Sequence, residues 1–403
     1  VHHAWTRGPA ADAFLHLNHA STSLPDASVF EAQRAFLDLE AALGMHRAID
    51  RMGDALAQVP TLVAGLIGAR PEQIAFVDSA ARGWGQALSA VAPGELLEVF
   101  VSRQEWAANL MTVANLARAS MTLLADPVDG NWARAVGDAL DRRDRDRIPM
   151  VSLPLQSSFC GEPNRLEGVA APVRAAGGWL FVDACQAVGQ VGVDMRALGA
   201  DVMVFPARKW LRGPRGIGVL ALSERALTGS EAGSAAGLGL PAMLDVHGTR
   251  VVDASSFALA PKSGASRFQA YDYAPALRLG VGAAVVALHA AGVDRVNAQV
   301  LARATGLRAR LAQIDGIRPA DAGGSGLVCV RADVDHASMV QALWQAGINI
   351  ATVGATYAPL AFAEGASVLR LSPHAMTDAG ELDRVQAVMA QELERMSRTG
   401  RAR

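Results

Sequence analysis

Between residues 74 and 222 the chain repeats one unit: an apolar run of four to seven residues, usually followed by a segment with helical apolar spacing. The runs are 74–77, 97–101, 121–124, 149–155, 179–182, 201–205 and 217–222. Segments so uniformly apolar suit strands buried on both faces, and helical crossovers join parallel neighbours. The pattern therefore predicts an α/β fold with a mainly parallel sheet between helical layers, the last run returning antiparallel after G-P-R-G. Helices are expected at 30–43, 59–66, 84–91, 109–117 and 166–176. Such sheets carry their chemistry in loops at the C-terminal ends of strands. Residues 225–266 are rich in Gly, Ala and Ser with weak periodicity and read as a long loop or interface segment. A long helix begins near 275. Helix, strand (327–330), helix and strand (368–371) follow, as in a smaller α+β domain.

With 403 residues, 51% of them hydrophobic, the chain can bury a large core and split into about two domains. A formal charge of −2 and 19% charged residues point to neither a nucleic-acid nor a membrane-surface partner. The run D-R-R-D-R-D-R at 141–147 alternates in sign, as in a solvated loop with local ion pairs. Three cysteines without paired spacing, Cys160, Cys185 and Cys329, argue for a reducing compartment and against a disulfide framework or a zinc site. The first residues lack a charged region followed by an apolar one, so no signal peptide is expected. The longest apolar stretch, 279–293, is too short to span a bilayer. A cytoplasmic protein with no bound metal is the expectation.

Of 37 Lys and Arg residues only Lys209 and Lys262 are lysines. Arginine makes the better ion pair, whereas only lysine can lose its proton and form an imine. Lys262, in A-P-K-S-G, reads as an exposed loop residue. Lys209 instead lies just past the 201–205 strand, 26 residues after Asp183, which ends the strand in F-V-D-A-C-Q. One crossover fits that gap, so the two belong on neighbouring strand ends. A third strand end, in I-A-F-V-D-S-A-A-R-G, runs through small residues Ser79, Ala80 and Ala81 into a helix, where backbone N–H groups and the helix dipole favour a phosphate. An imine-forming lysine, a carboxylate and a phosphate cradle together suggest pyridoxal phosphate (PLP), with the carboxylate keeping the pyridine nitrogen protonated. No P-loop occurs, and G-P-R-G-I-G lacks the spacing of a dinucleotide fingerprint.

F-V-D-A-C-Q-A followed by R-K-W-L-R-G-P-R-G-I-G resembles the class V aminotransferase or cysteine-desulfurase-like family of fold-type I PLP enzymes. The resemblance runs from L-N-H-A-S-T-S-L-P near residue 17 to V-L-R-L-S-P-H near 374. It implies a large PLP-binding domain at 25–274 with a mainly parallel seven-stranded sheet. A linking helix and small α+β domain follow at 275–403, joined by an N-terminal segment at 1–24. It also implies a homodimer with shared active sites. By this resemblance Lys209 forms the Schiff base, Asp183 partners the pyridinium nitrogen and Gln186 contacts the phenolic oxygen. Trp106, in E-W-A-A-N, takes the place of the histidine that stacks on the ring, and Ser158 that of a ring-side asparagine. Ala80 and Ala81 match the phosphate turn, with Arg82 adjacent. Arg370 matches the arginine that grips the substrate α-carboxylate. His19, Ser21 and His46 are further candidate substrate contacts. The chain departs from the family at P-A-R-K, where Pro206 and Arg208 replace a serine and a histidine, leaving Arg208 to supply charge. It departs again at R-F-Q-A-Y-D, where Arg267 and Tyr271 are candidate substitutes for a threonine lent by the partner subunit.

Desulfuration needs a mobile cysteine on the loop before the C-terminal arginine, and T-V-G-A-T-Y-A-P-L-A-F-A-E-G-A has none. R-K-W-L-x-G-P-R-G-x-G-V-L and L-R-x-S-P-H resemble the carbon–sulfur lyases of ergothioneine biosynthesis and the enzymes that process S-cysteine conjugates in lincosamide assembly. The reaction implied is β-elimination from an S-substituted cysteine, giving a thiol or sulfenate, pyruvate and ammonia. Decarboxylation with oxidative deamination, epimerisation and transamination would use the same lysine and remain open.

Overall fold

A computed structural model describes residues 14–127, 130–228 and 237–400; the chain start read for a targeting signal, and part of the 225–266 segment, lie outside the described residues. The N-terminal stretch forms β1 (Leu15–His16), α1 (Ala27–Leu43), α2 (Met45–Arg51) and α3 (Gly53–Leu66). The apolar runs then become β2 (Ile74–Val77), β3 (Leu97–Val101), β4 (Ala119–Leu123), β5 (Ile148–Pro154), β6 (Trp179–Asp183), β7 (Val202–Pro206) and β8 (Gly218–Leu222). Between them lie α4 (Ala80–Ala90), α5 (Ala107–Asn115), α6 (Trp132–Asp141), α7 (Ala170–Ala175) and α8 (Met195–Leu198).

These strands form one seven-stranded sheet in the order β2-β8-β7-β6-β5-β3-β4. From β7 through β4 all neighbours are parallel. β8 is antiparallel to both β7 and β2, because the turn from Pro206 to Gly218 is too short for a crossover. Adjacent residues on a strand serve opposite faces: Phe181 packs with Trp84 and Leu110, Val182 with Val151 and Met203. Both faces are covered, which is why the runs are continuously apolar; each fully buried large side chain contributes about 1.5–3 kcal/mol.

The loop expected at 225–266 instead contains α9 (Glu224–Thr228) and a hairpin of β9 (Thr249–Asp253) and β10 (Ala258–Pro261). Most of its side chains are exposed, so no apolar alternation marked it in the sequence. The helix expected at 166–176 is only the short α7. After the hairpin come α10 (Pro275–Ala291) and α11 (Val293–Leu311), bent by 83° at Gly292, whose φ is +82°. A second sheet, order β11-β12-β15-β14, comprises β11 (Ile317–Pro319), β12 (Val328–Ala332), β14 (Ala351–Gly354) and β15 (Ser367–Leu371) and is antiparallel throughout. α12 (His336–Gln345) and α13 (Ala379–Gly400) flank it, and β13 (Ile348–Asn349) pairs in parallel with β1. The N-terminal segment is thereby tied to the C-terminal part of the chain. Among the described residues no single helix is long and apolar enough to cross a membrane.

Candidate active site

The C-terminal ends of β3, β5, β6 and β7 meet the N-terminus of α4 around a cavity of about 430 Å³. Asp183, Lys209, Trp106, Ser158, Gln186, Ala80, Ala81, Arg208, Ser21 and Arg370 all line it. Asp183 is the last residue of β6, and Lys209 stands three residues past the end of β7, its parallel neighbour. A turn holds the lysine: Arg212 N donates to Lys209 O at 2.9 Å, with Arg212 at φ +59°, a left-handed backbone that arginine rarely adopts. Burial pushes the Lys209 ammonium down to about 8; Arg208 and Arg370 act in the same direction, Cys185 and Asp183 against it.

The carboxylate is fixed on both oxygens. Cys185 N donates to Asp183 Oδ1 at 2.8 Å, and Asn109 Nδ2 approaches Oδ2 at 3.4 Å. Gln186 spends Nε2 on Ala20 O at 3.0 Å and receives Trp210 Nε1 on Oε1 at 2.8 Å. Trp106, the N-cap of α5, stacks on Tyr357 with centroids 5.3 Å apart and planes at 10°. Lys209 Nζ lies 5.7 Å from its ring centroid.

At the other end, Ser79 caps α4 by accepting from Arg82 N at 3.3 Å. The N–H groups of Ala80 and Ala81 are then first-turn donors that the helix itself cannot pair. Gly218 permits β8 to pass there, since a Cβ on it would sit 2.7 Å from Ala80 N. Arg208 and Arg215 add two guanidinium groups to the cavity wall. Burial and the charge of Arg215 push Arg208 down, and Arg208 donates to Ser21 O. Arg82 points away, exposed and paired with Asp78 at 3.3 Å.

Arg370, on β15, is buried. It donates to Ser158 O at 2.9 Å and to Ser21 Oγ at 2.6 Å, while its Nε has no partner. The charges acting on it are Cys329, Tyr357 and Arg208, none a carboxylate, and burial pushes it down to about 10. A buried cation that lines a cavity, with no carboxylate among the groups acting on it, calls for an anionic ligand.

Besides Arg82, four candidates are not brought to this cavity. His19 is buried behind it, hydrogen-bonded to Ser23 Oγ at 2.8 Å and packed on His16 and His374. His46 is exposed on α2. Arg267 spends its guanidinium on the carbonyl oxygens of Ala226, Leu227 and Leu238. Tyr271 is 60% exposed and outside the cavity of its own chain.

The aminotransferase class-V family model matches residues 15–385. The chain belongs to the aminotransferase class-V family. A cysteine desulfurase from Dickeya dadantii is 30% identical over 300 residues, covering 70% of this chain and 68% of the relative. Among solved structures, a cysteine desulfurase from Escherichia coli superposes with TM-score 0.83 at 22% identity, covering 96% of this chain and 97% of that one. A cystine C–S lyase in complex with cysteine persulfide superposes with TM-score 0.79 at 19% identity, covering 95% and 98%. These likenesses place the chain in the fold-type I architecture of this class V family.

PLP fits the residues of this class V site. A buried lysine whose ammonium is pushed down to about 8, a carboxylate on the neighbouring strand and helix N–H groups that the helix cannot pair stand in one cavity, with a buried guanidinium opposite. Two features escaped the sequence reading. Arg215 lies in the quoted G-P-R-G, but only the fold turns it toward Arg208. Asn109 and Glu105 frame Trp106 in E-W-A-A-N, yet nothing local signals their reach to Asp183.

Proposed function

We propose that this protein is a PLP-dependent carbon–sulfur lyase that cleaves an S-substituted L-cysteine, or its sulfoxide, by α,β-elimination. The carrying observation is the placement of its cysteines. The segment between β14 and Arg370 contains none, and all three lie elsewhere. Cys329 is inside β12, and burial pushes its thiol and that of Cys185 well above the ordinary range. Cys185 lines the cavity but sits directly after β6, its backbone N–H bound to Asp183. Cys160 stands outside that segment and burial pushes its thiol up as well, so no cysteine occupies the place that desulfuration requires. The resemblance of the lysine segment and of L-R-L-S-P-H to lyases of ergothioneine biosynthesis and lincosamide assembly supports the same substrate class.

The residues divide the work. Arg370 grips the substrate carboxylate through the two terminal nitrogens it now lends to Ser158 and Ser21. Lys209, near 8, has a free-base fraction at neutral pH with which to take the Cα proton. Asp183 would hold the proton of the ring nitrogen of bound PLP, while Ala80, Ala81, Arg208 and Arg215 would hold its phosphate. Bound PLP supplies the electron sink for the pair left at Cα. The pair at Cα becomes the Cα=Cβ bond as the Cβ–S pair leaves with sulfur, as thiolate from a thioether or sulfenate from a sulfoxide, and water hydrolyses the released 2-aminoacrylate to pyruvate and ammonia.

We also propose a homodimer: Met243, Val246, Phe257 and Tyr271 form an exposed apolar surface around the β9–β10 hairpin, 60–71% exposed. The division at residues 25–274 and 275–403 belongs to the same proposal.

The test is incubation with L-cysteine and with a panel of S-alkyl and S-aryl cysteines and their sulfoxides. Equal amounts of pyruvate and thiol-derived product are expected. Alanine with persulfide would instead establish desulfuration, and an aldehyde with oxygen consumption would establish the oxidative route; either result overturns the proposal.

A further inference from the structure

Glu105 has no part in the roles assigned above. It follows β3 and is entirely buried. Its Oε1 accepts Trp106 N–H at 3.0 Å and Asn109 Nδ2 at 2.8 Å, and its Oε2 accepts Ser152 Oγ at 2.7 Å. Ser152 comes from β5, while Trp106 is the N-cap of α5 and Asn109 belongs to its first turn. The Asn109 amide, also buried, continues to Asp183 Oδ2 at 3.4 Å. One side-chain amide thus spans two buried carboxyl groups.

That arrangement is costly as mere filling. A carboxyl group loses solvation on burial and gains repulsion by facing Asp183. An apolar side chain would fill the same volume without either penalty. The direction of its proton affinity agrees: burial first, then the Asp183 charge, pushes Glu105 up to about 7, against the three donors. What the carboxyl achieves is orientation. It binds the backbone of the residue whose ring walls the cavity and aims the amide that faces Asp183.

We propose that Glu105 is a positioning residue for Asp183: through Asn109 it fixes that carboxylate toward the ring nitrogen of bound PLP and sets a second negative charge behind it. The inference rests on the PLP reading above. The charged and titratable groups surrounding this pair are few. Asp183 faces Glu105, and Cys185, Arg208, Asp183 and Arg370 act on Lys209. Glu105 therefore acts on the cofactor site through Asp183, and removing its charge removes the negative potential it adds there.

Glu105→Gln separates charge from shape. Its amide oxygen can still accept Trp106 N–H and Asn109 Nδ2, and its amide nitrogen can donate to Ser152 Oγ, whose hydroxyl rotates. The experiment is a spectrophotometric pH titration of the visible cofactor band in the wild-type holoenzyme, Glu105→Gln and Glu105→Ala, together with PLP retention by equilibrium dialysis. Glu105→Gln is expected to keep PLP within about threefold of wild type while its apparent band pKa falls by roughly half a unit or more. Glu105→Ala, which releases Trp106 and Asn109 as well, is expected to bind PLP about tenfold more weakly. A Glu105→Gln titration that superimposes on wild type overturns the proposal, whether or not Glu105→Ala folds. A wild-type protein that develops no visible band with PLP refutes the cofactor reading instead, so the two failures are distinct.

Discussion

Acidification should unlatch the N-terminal segment from the lysine loop. His16, His19 and His374 pack together, with ring centroids 4.7 Å apart for His16–His19 and 4.8 Å for His19–His374. His374 Nε2 lies 3.2 Å from Trp210 O, next to Lys209, and His19 is bound to Ser23, close to Ser21. Burial, followed by the charge of Arg212, lowers His374 from 6.5 to about 3. Burial likewise drives His19 well below 6.5, reinforced by His374 and His16. The unfolded chain binds more protons than the folded one between these limits. The stability held by a neutral His374 is therefore complete above pH 6.5 and is lost as pH falls toward 3. At pH 5 an unfolded imidazole is protonated in a ratio of about thirty to one while the folded one stays neutral, a loss of about 2 kcal/mol. Urea unfolding followed by tryptophan fluorescence at pH 7.5 and 5.0 measures it. His374→Gln should lack that increment, whatever its absolute stability, leaving the losses from His19 and the carboxylates. Equal acid losses in wild type and His374→Gln would refute the reasoning.

Four further outcomes are expected. Lys209→Ala should lack the visible band that borohydride removes from wild type and lose about 10²–10⁴-fold in turnover. In the wild-type apoenzyme, the rate of band formation on adding PLP should rise with pH and level off above about 8, where the amine is neutral. Arg370→Lys forfeits the two-pronged grip and should weaken kcat/KM by roughly 10–100-fold, as steady-state kinetics would record. Gly218→Ala places a Cβ 2.7 Å from Ala80 N; it should cost about 1–3 kcal/mol in thermal or urea unfolding and loosen PLP more than pyridoxal without its phosphate.

Several parts of the site were legible from local sequence because strand ends are local facts. The apolar run that stops at Asp183 and the next that stops before Lys209 place both at one edge of a parallel sheet. Small residues after 74–77 mark a helix start, and Ala80 and Ala81 open α4. Other residues were not legible. The motif L-N-H-A-S-T-S suggested that His19 and Ser21 both face a substrate, but β1 pairing with β13 turns Ser21 toward Arg370 and His19 into a buried cluster. The β9–β10 hairpin left no periodic trace because neither of its faces is buried within the chain.

Residue types and their spacing determined the chemistry available: one lysine retained at a strand end, a carboxylate one crossover away, a phosphate-sized helix start, and no cysteine where desulfuration needs one. These depend on covalent identity and on periodicities of two and 3.6 residues, which a chain carries without folding. Tertiary structure decided which groups share a dielectric and a hydrogen bond. Glu105, Asn109, Ser152 and Asp183 lie on or beside three different strands and join only because the sheet order sets β5 between β3 and β6. Arg370 is some 160 residues beyond Lys209 in the chain, and it reaches the same cavity because β15 lies against the N-terminal segment. Proton affinities such as that of Lys209 follow from this convergence, since burial and neighbouring charges exist only once the distant segments have met.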